Sequence, residues 1–174
     1  MAELAVPVIA VSACSGSGKT TLLTRLLPCL RARGLQVAAI KHSHHDIDLD
    51  QPGKDSHALR QAGANPVILA CPQRTFTVEE HGDACLPTLA TLLQRLPGRP
   101  DLVLAEGFKH EPVPRLEVWR PERGRAPLWP DDPHVVAVAS TVPAPDGATV
   151  AWLDLDQPDA IADWLCRFIG HALP

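Results

Sequence analysis

Residues 15–21, Ser-Gly-Ser-Gly-Lys-Thr-Thr, have the types and spacing to hold a chain of phosphates. In such a loop the backbone N–H groups converge on an anion at a helix N-terminus, where the helix dipole also favours negative charge. Gly16 and Gly18 let the backbone turn and come close to a ligand. Lys19 would set a point charge on the β- and γ-phosphates, and the Thr20 hydroxyl would reach Mg²⁺. The pattern departs from the usual one at its first position, where Ala13 replaces glycine. That replacement costs little provided Ala13 keeps φ below zero.

A magnesium site needs an acid as well, commonly at the end of an apolar strand. The run 101-DLVLAEGF-108 offers Asp101 and Glu106. At roughly 3.3 Å per residue they lie about 16 Å apart along a strand. Ligands of open α/β sheets sit outside the carboxyl ends of the strands, which selects Glu106 and leaves Asp101 as a solvated strand start. Glu106 and Lys19 are therefore the candidate catalytic pair, and Gly107 permits a close approach beside them.

A second strand leads into 41-KHSHHDIDLD-50. Three histidines next to Asp46 suggest a transition-metal site, but successive side chains of an extended stretch alternate in direction and rarely meet at one ion. The preferred reading gives Asp46 to Mg²⁺ through water, with Lys41 and His42 facing phosphate or a second ligand. A solvated polar loop is the plain alternative. Lys54 stands near the start of a helix and could reach an anion, whereas Arg60 reads as solvated. Lys109 and His110 follow Glu106. Arg115, Arg120, Arg123 and Arg125 surround a proline-rich segment; they could meet a second anionic substrate or a partner, but an exposed charged loop accounts for them more simply.

Positioning these residues requires alternating strands and helices. Val6 to Ser12 is a short β-branched run, and Lys19 to Arg33 carries leucines at 22, 23, 26, 27 and 30, a helical stripe ending at Gly34. Pro28 predicts a bend in that helix. Gln36 to Ile40 returns to strand, and Lys54 to Ala62 reads as a helix closed by Gly63. Val67 to Cys71 and Thr75 to Val78 are too close for a crossover helix and predict an antiparallel hairpin. Ala84 to Leu96 reads as a helix with Pro87 in its first turn. Leu102 to Ala105 and Val135 to Ala139 are continuous apolar runs suited to covered central strands. Arg115 to Trp119 alternates. A final helix shows a stripe at Ile161, Trp164, Leu165 and Phe168, with Asp156 placed as its cap. The expected fold is a three-layer α/β domain with a mainly parallel sheet and a small antiparallel addition, in a single domain spanning 1–174. Strands ending at Ser12, Lys41, Glu106 and Ser140 would bring polar groups to one edge, which adds Ser140 to the nucleotide candidates.

Composition sets the outer bounds. The 174 residues carry a formal charge of -4, with 45% hydrophobic and 21% charged residues. This balance gives no sign of nucleic acid or an anionic membrane as partner. No apolar run approaches the roughly 20 residues of a membrane helix. The first residues lack a basic leader, so no signal peptide is expected. Five scattered cysteines without a C-x-x-C pair predict a reducing cytoplasm in place of a disulfide framework.

Taken together, S-G-S-G-K-T-T, I-K-H-S-H-H-D, Q-P-G-K-D-S-H-A-L-R-Q-A-G-A, A-E-G-F-K-H-E and V-A-V-A-S occur in one order across residues 8 to 140. They resemble the molybdopterin-guanine dinucleotide biosynthesis adapter family, MobB. The resemblance implies a P-loop fold, GTP with Mg²⁺, a cytoplasmic location and a homodimer. It also implies a partner guanylyltransferase that joins GMP to molybdopterin, and possible contact with molybdopterin itself. By the same likeness Gly16, Ser17, Gly18, Lys19, Thr20 and Thr21 hold phosphates, Glu106 serves the metal side, and alanine at the first loop position is usual; Ser15 is a further nucleotide candidate. One position departs. The family often has an aspartate after the V-A-V-A-S strand, suited to the guanine N–H donors, and this chain has Thr141. Three functions follow as expectations: a GTP-binding adapter with weak intrinsic GTPase activity, a P-loop small-molecule kinase, or a metal-delivery GTPase using the His42–His45 segment. The adapter is favoured. Residues 120–125 form no obvious mobile arginine lid, and the cysteine-rich or long histidine tract of a metal carrier is missing.

Overall fold

A computed structural model describes residues 6–14, 16–43, 48, 50–82 and 86–172. The chain divides into two compact units, Met1–His42 with Leu89–Pro174, and Ser43–Thr88.

The larger unit is built on a six-stranded sheet. Its strands are β1 (Val8–Ser12), β2 (Val37–Lys41), β5 (Leu102–Glu106), β6 (Arg115–Trp119), β7 (Val135–Ser140) and β8 (Ala151–Asp154). They lie in the order β2-β5-β1-β6-β7-β8, and every neighbouring pair is parallel. One face is covered by α1 (Lys19–Ala32) and α4 (Pro158–Phe168), which bury Leu22, Leu26, Leu30, Ile161 and Leu165 against Ile9, Val11, Leu104 and Leu116. The other face is covered by α3 (Leu89–Gln94), with Leu89 against Val8, Ala10, Val103 and Ala105. The expected three layers are therefore present, with an apolar core on each side of the sheet. Arg33 at the end of α1 holds α4 through Asp163 at 2.7 Å and Asp159 at 3.2 Å.

The helix α1 continues through Pro28, and Gly34 follows at φ +85°. Two expectations about helix ends need correction. The helix expected from Ala84 is confined to Leu89–Gln94; Ala84 and Cys85 lie outside the described residues, and Pro87 precedes the helix. A residue before proline is pushed away from helical ψ, which disfavours Leu86 as a helical residue. At its far end Arg95 and Leu96 bond back three residues, the tightened turn of a helix stopped by Pro97. Asp156 does not cap α4: Gln157 precedes the helix without a side-chain cap, and Pro158 starts it. The strand β8 has no counterpart in the sequence reading.

β6 also differs from the half-exposed strand that its alternation predicts. It lies between β1 and β7, and Arg115 and Glu117 are buried along with Leu116 and Val118. Both polar side chains find partners, although the buried Arg115 Nε has none among the described residues. Arg115 donates to the carbonyls of Lys109 and Glu111 and to the Asp132 carboxylate at 2.9 Å. Glu117 accepts the backbone N–H groups of Leu128 at 2.7 Å and Trp129 at 3.0 Å. Burial pushes the Glu117 carboxyl above its ordinary value, and these two N–H bonds oppose the rise. Arg115 is thus a core residue rather than a contact for a second substrate.

The smaller unit contains α2 (Asp55–Gln61) and a separate two-stranded antiparallel sheet of β3 (Val67–Cys71) and β4 (Arg74–Val78). The predicted hairpin is present, with Leu69 opposite Phe76 and Ile68 opposite Thr77. It stands as its own sheet rather than extending the large one. Arg60 is not a solvated charge: it pairs with Asp48 at 2.6 Å, Asp50 at 3.6 Å and Glu80.

Leu26 is fully buried beneath the helix that follows the phosphate loop. Leu26→Ala is expected to lower unfolding free energy by about 2–5 kcal/mol, read by chemical denaturation.

Candidate functional site

The loop between β1 and α1 has the conformation its glycines allow. Gly16 and Gly18 adopt φ +76° and +89°, and Gly18 is the residue preceding α1. Among the described residues every positive φ belongs to a glycine, so Ala13 keeps the negative φ that makes it a tolerated substitute. Ala13 is buried, and Ser17 donates its N–H to the Cys14 carbonyl at 3.3 Å. Lys19 folds over the start of the loop, with Nζ 3.3 Å from the Ala13 carbonyl and 3.5 Å from that of Cys14. Ser15 lies outside the described residues.

Parallel pairing places the other candidates. Lys41 of β2 and Val11 of β1 are each level with Glu106 of β5. Gly16, Gly18, Lys19, Thr20, Thr21 and Glu106 then line one cavity of about 380 Å³. The hydroxyl of Thr20 and the carboxylate of Glu106 are hard oxygen donors of the kind magnesium takes, and the cavity they share also contains the loop glycines. Lys41 Nζ stands 3.8 Å from Glu106 Oε2, on a side chain that is mostly exposed. Asp101 lies at the opposite end of β5, where its carboxylate accepts the Gln36 N–H at 2.7 Å. The choice between the two acids therefore follows from strand direction.

His42 is held at the same edge. Its N–H donates to the Glu106 carbonyl at 2.8 Å, its Nδ1 is 3.4 Å from the Gly107 carbonyl, and its ring meets Phe108 at 5.5 Å. The approach is close enough to demand glycine at 107. A Cβ there would lie 2.8 Å from the His42 carbonyl oxygen, and the residue sits at φ +94°. Asp46, His44 and His45 lie outside the described residues. Among the described residues no three His, Cys, Asp or Glu side chains cluster as for a metal. Ser140 ends β7 at this edge, but it is buried, with its hydroxyl 3.4 Å from the Val142 N–H, and it lines neither cavity at the loop.

One residue was read in the sequence mainly as part of an exposed charged loop. Arg120, the residue after β6, donates Nε to the Ser17 carbonyl at 3.2 Å and Nη1 to Glu122 at 3.2 Å. With Glu122 and Arg123 it faces loop residues Gly16, Ser17, Gly18 and Thr21 across a second cavity of about 460 Å³. The only signal available was that β6 would end beside β1, and the number of charges in 120–125 obscured it.

This combination of loop, acid and parallel sheet can be compared with known proteins. A family model described as "Molybdopterin guanine dinucleotide synthesis protein B", MobB, matches residues 8–141. The chain belongs to the MobB family. It is 43% identical over 166 residues to the molybdopterin-guanine dinucleotide biosynthesis adapter protein of Escherichia coli strain K12, covering 94% of each chain. It is 40% identical over 167 residues to the adapter protein of the same description in Haemophilus influenzae, covering 95% of this chain and 91% of the relative. In three dimensions it resembles a crystal structure of molybdopterin-guanine biosynthesis protein B, with TM-score 0.72 and 27% identity over 92% of this chain and 99% of that one. The MobB match begins at β1 and ends just beyond β7, so it includes both the phosphate loop and Glu106.

Gly107→Ala introduces a Cβ against His42 at a left-handed φ. A loss of at least about 1–3 kcal/mol in stability is expected from backbone strain alone, measured by urea denaturation.

Proposed function

We propose that this chain binds GTP with Mg²⁺ and acts as an adapter in molybdopterin guanine dinucleotide biosynthesis, assisting a guanylyltransferase. The observation that carries the reading is the cavity in which the loop glycines, Lys19, Thr20 and Glu106 meet, in a chain whose relatives are described as adapters of that pathway. The loop N–H groups and Lys19 would hold the phosphates, and Thr20 and Glu106 would hold Mg²⁺, which supplies charge neutralisation on the phosphate chain. Asp46 remains its proposed indirect ligand. Lys41, His42, Ser140 and Ser15 remain nucleotide candidates on the same reading, and molybdopterin remains a proposed ligand. The base contacts rest on fewer residues, because Thr141 stands where the family often has an aspartate.

Location in the cytoplasm fits the cysteine usage. No helix among the described residues is long and apolar enough to cross a membrane. The homodimer is supported by the β3–β4 hairpin. A two-stranded sheet is marginal by itself, and Ile68, Leu69 and Phe76 stand exposed on this one. A second copy of the chain is the proposed cover.

A small-molecule kinase is the second reading, favoured by Arg120 on the phosphate loop, since phosphoryl transfer needs cationic charge near the moving group. The two readings separate by turnover. The adapter hydrolyses GTP slowly alone and increases molybdopterin guanine dinucleotide formation when added to the guanylyltransferase with molybdopterin. Fast turnover with a small alcohol or nucleoside acceptor would select the kinase instead.

Calorimetric titration is expected to show GTP bound in the presence of Mg²⁺ and to show at least a tenfold loss in Lys19→Ala, with ATP as the competing ligand. Equal affinity for ATP and GTP would show that Thr141 has removed guanine preference. Replacing both Leu69 and Phe76 with Asp is expected to convert a dimer to a monomer, as read by light scattering.

A further inference from the structure

We propose that Arg120 is a phosphate contact of the nucleotide site, supplied in cis from the end of β6 and held there by the protein's own contacts. The proposal rests on the nucleotide reading above and adds a residue to it from a part of the chain that the loop motif does not contain. Three observations carry it.

The first is contact. Arg120 Nε donates to the Ser17 carbonyl at 3.2 Å, and a Cβ on Gly18 would lie 3.8 Å from the same nitrogen. The guanidinium therefore lies against the two loop residues that precede Lys19. The second is capacity. Among the described residues it has two partners, Ser17 and Glu122, whereas guanidinium has five N–H donors in a planar fork. That fork matches a phosphate in a bidentate fashion. The third is the setting. Arg120 and Arg123 form the far wall of the cavity whose near wall is the loop, opposite in charge to a phosphate chain. The carboxylate there, Glu122, pairs with Arg120 at 3.2 Å and so restrains it.

The segment is preorganised from both ends. Trp119 donates its indole N–H to the Arg125 carbonyl at 3.0 Å, and its ring meets Trp152 edge-on at 5.9 Å. Glu117 fastens Leu128 and Trp129 from beneath. Between these anchors, Pro121–Arg123 forms a single 3₁₀ turn closed by Gly124 at φ +64°. Arg120 reaches phosphate by rotating its side chain, with the backbone already in place.

The test uses the full chain with GTP, GDP and GMP as probes and Mg²⁺ present. Arg120→Ala is expected to weaken GTP by roughly 10- to 100-fold, the range for loss of a charged hydrogen bond. Arg120→Lys should recover part of the loss, since it restores charge without the fork. The loss should be larger for GTP than for GMP, and it should be partly restored in Arg120→Lys; equal losses for all three nucleotides overturn the proposal. Thermal unfolding without nucleotide monitors the fold, and Arg120→Lys supplies the affinity comparison if Arg120→Ala unfolds. Wild-type affinity for GTP in both variants also overturns it. A wild-type protein that binds no nucleoside triphosphate would instead overturn the nucleotide reading itself.

Discussion

All six strands of the larger unit run in the same direction, so each of them hands its following loop to one edge of the sheet. The chemistry depends on that constraint. Pairing β1 with β5 brings Glu106 level with Val11, just before the phosphate loop, and pairing β1 with β6 brings Glu117 level with Ser12. The residues that gather there come from widely separated parts of the chain, and no local turn or helix could assemble them. Apolar packing on both faces of the sheet fixes the register. A strand displaced by one residue would put Val103 and Leu104 on exchanged faces.

Much of this could be read from residue types. Strand, glycine-rich loop and leucine-striped helix predict one another, because the loop is useful only where a buried strand delivers it and a packed helix receives it. The placement of Glu106 at the loop's edge, with Asp101 at the far end of the strand, needed only strand length and direction. The hairpin followed from the short spacing between two β-branched runs. These inferences succeeded where a local pattern has a single physical solution.

Two of the failures share a cause. Arg115 and Glu117 alternate with apolar residues, a pattern normally produced by a strand with one wet face. Here the strand is covered on both sides, and the polar groups survive because Asp132, two backbone carbonyls and two backbone N–H groups arrive from other segments. Arg60 was misread in the same way, since two of its carboxylates precede it and the third, Glu80, lies beyond the hairpin. A charged residue in a sequence shows its cost of burial but not the partner that offsets it. The helix beginning at Leu89 was overextended for another reason: apolar spacing continued past the point at which prolines on either side forbid helical backbone.

The anchoring of the segment after β6 has a kinetic consequence. Lids that close over nucleotides impose a conformational step on microsecond to millisecond timescales, and release must wait for reopening. A segment already tied by Glu117 and Trp119 leaves only side-chain rotation, which takes picoseconds to nanoseconds for an accessible group. On the proposed nucleotide reading, the ligand would then enter and leave at rates set by encounter and by the strength of its contacts. Residence time in such a site is tuned by chemistry at a few atoms, and a partner protein could alter it by covering the open cavity without first rearranging its wall.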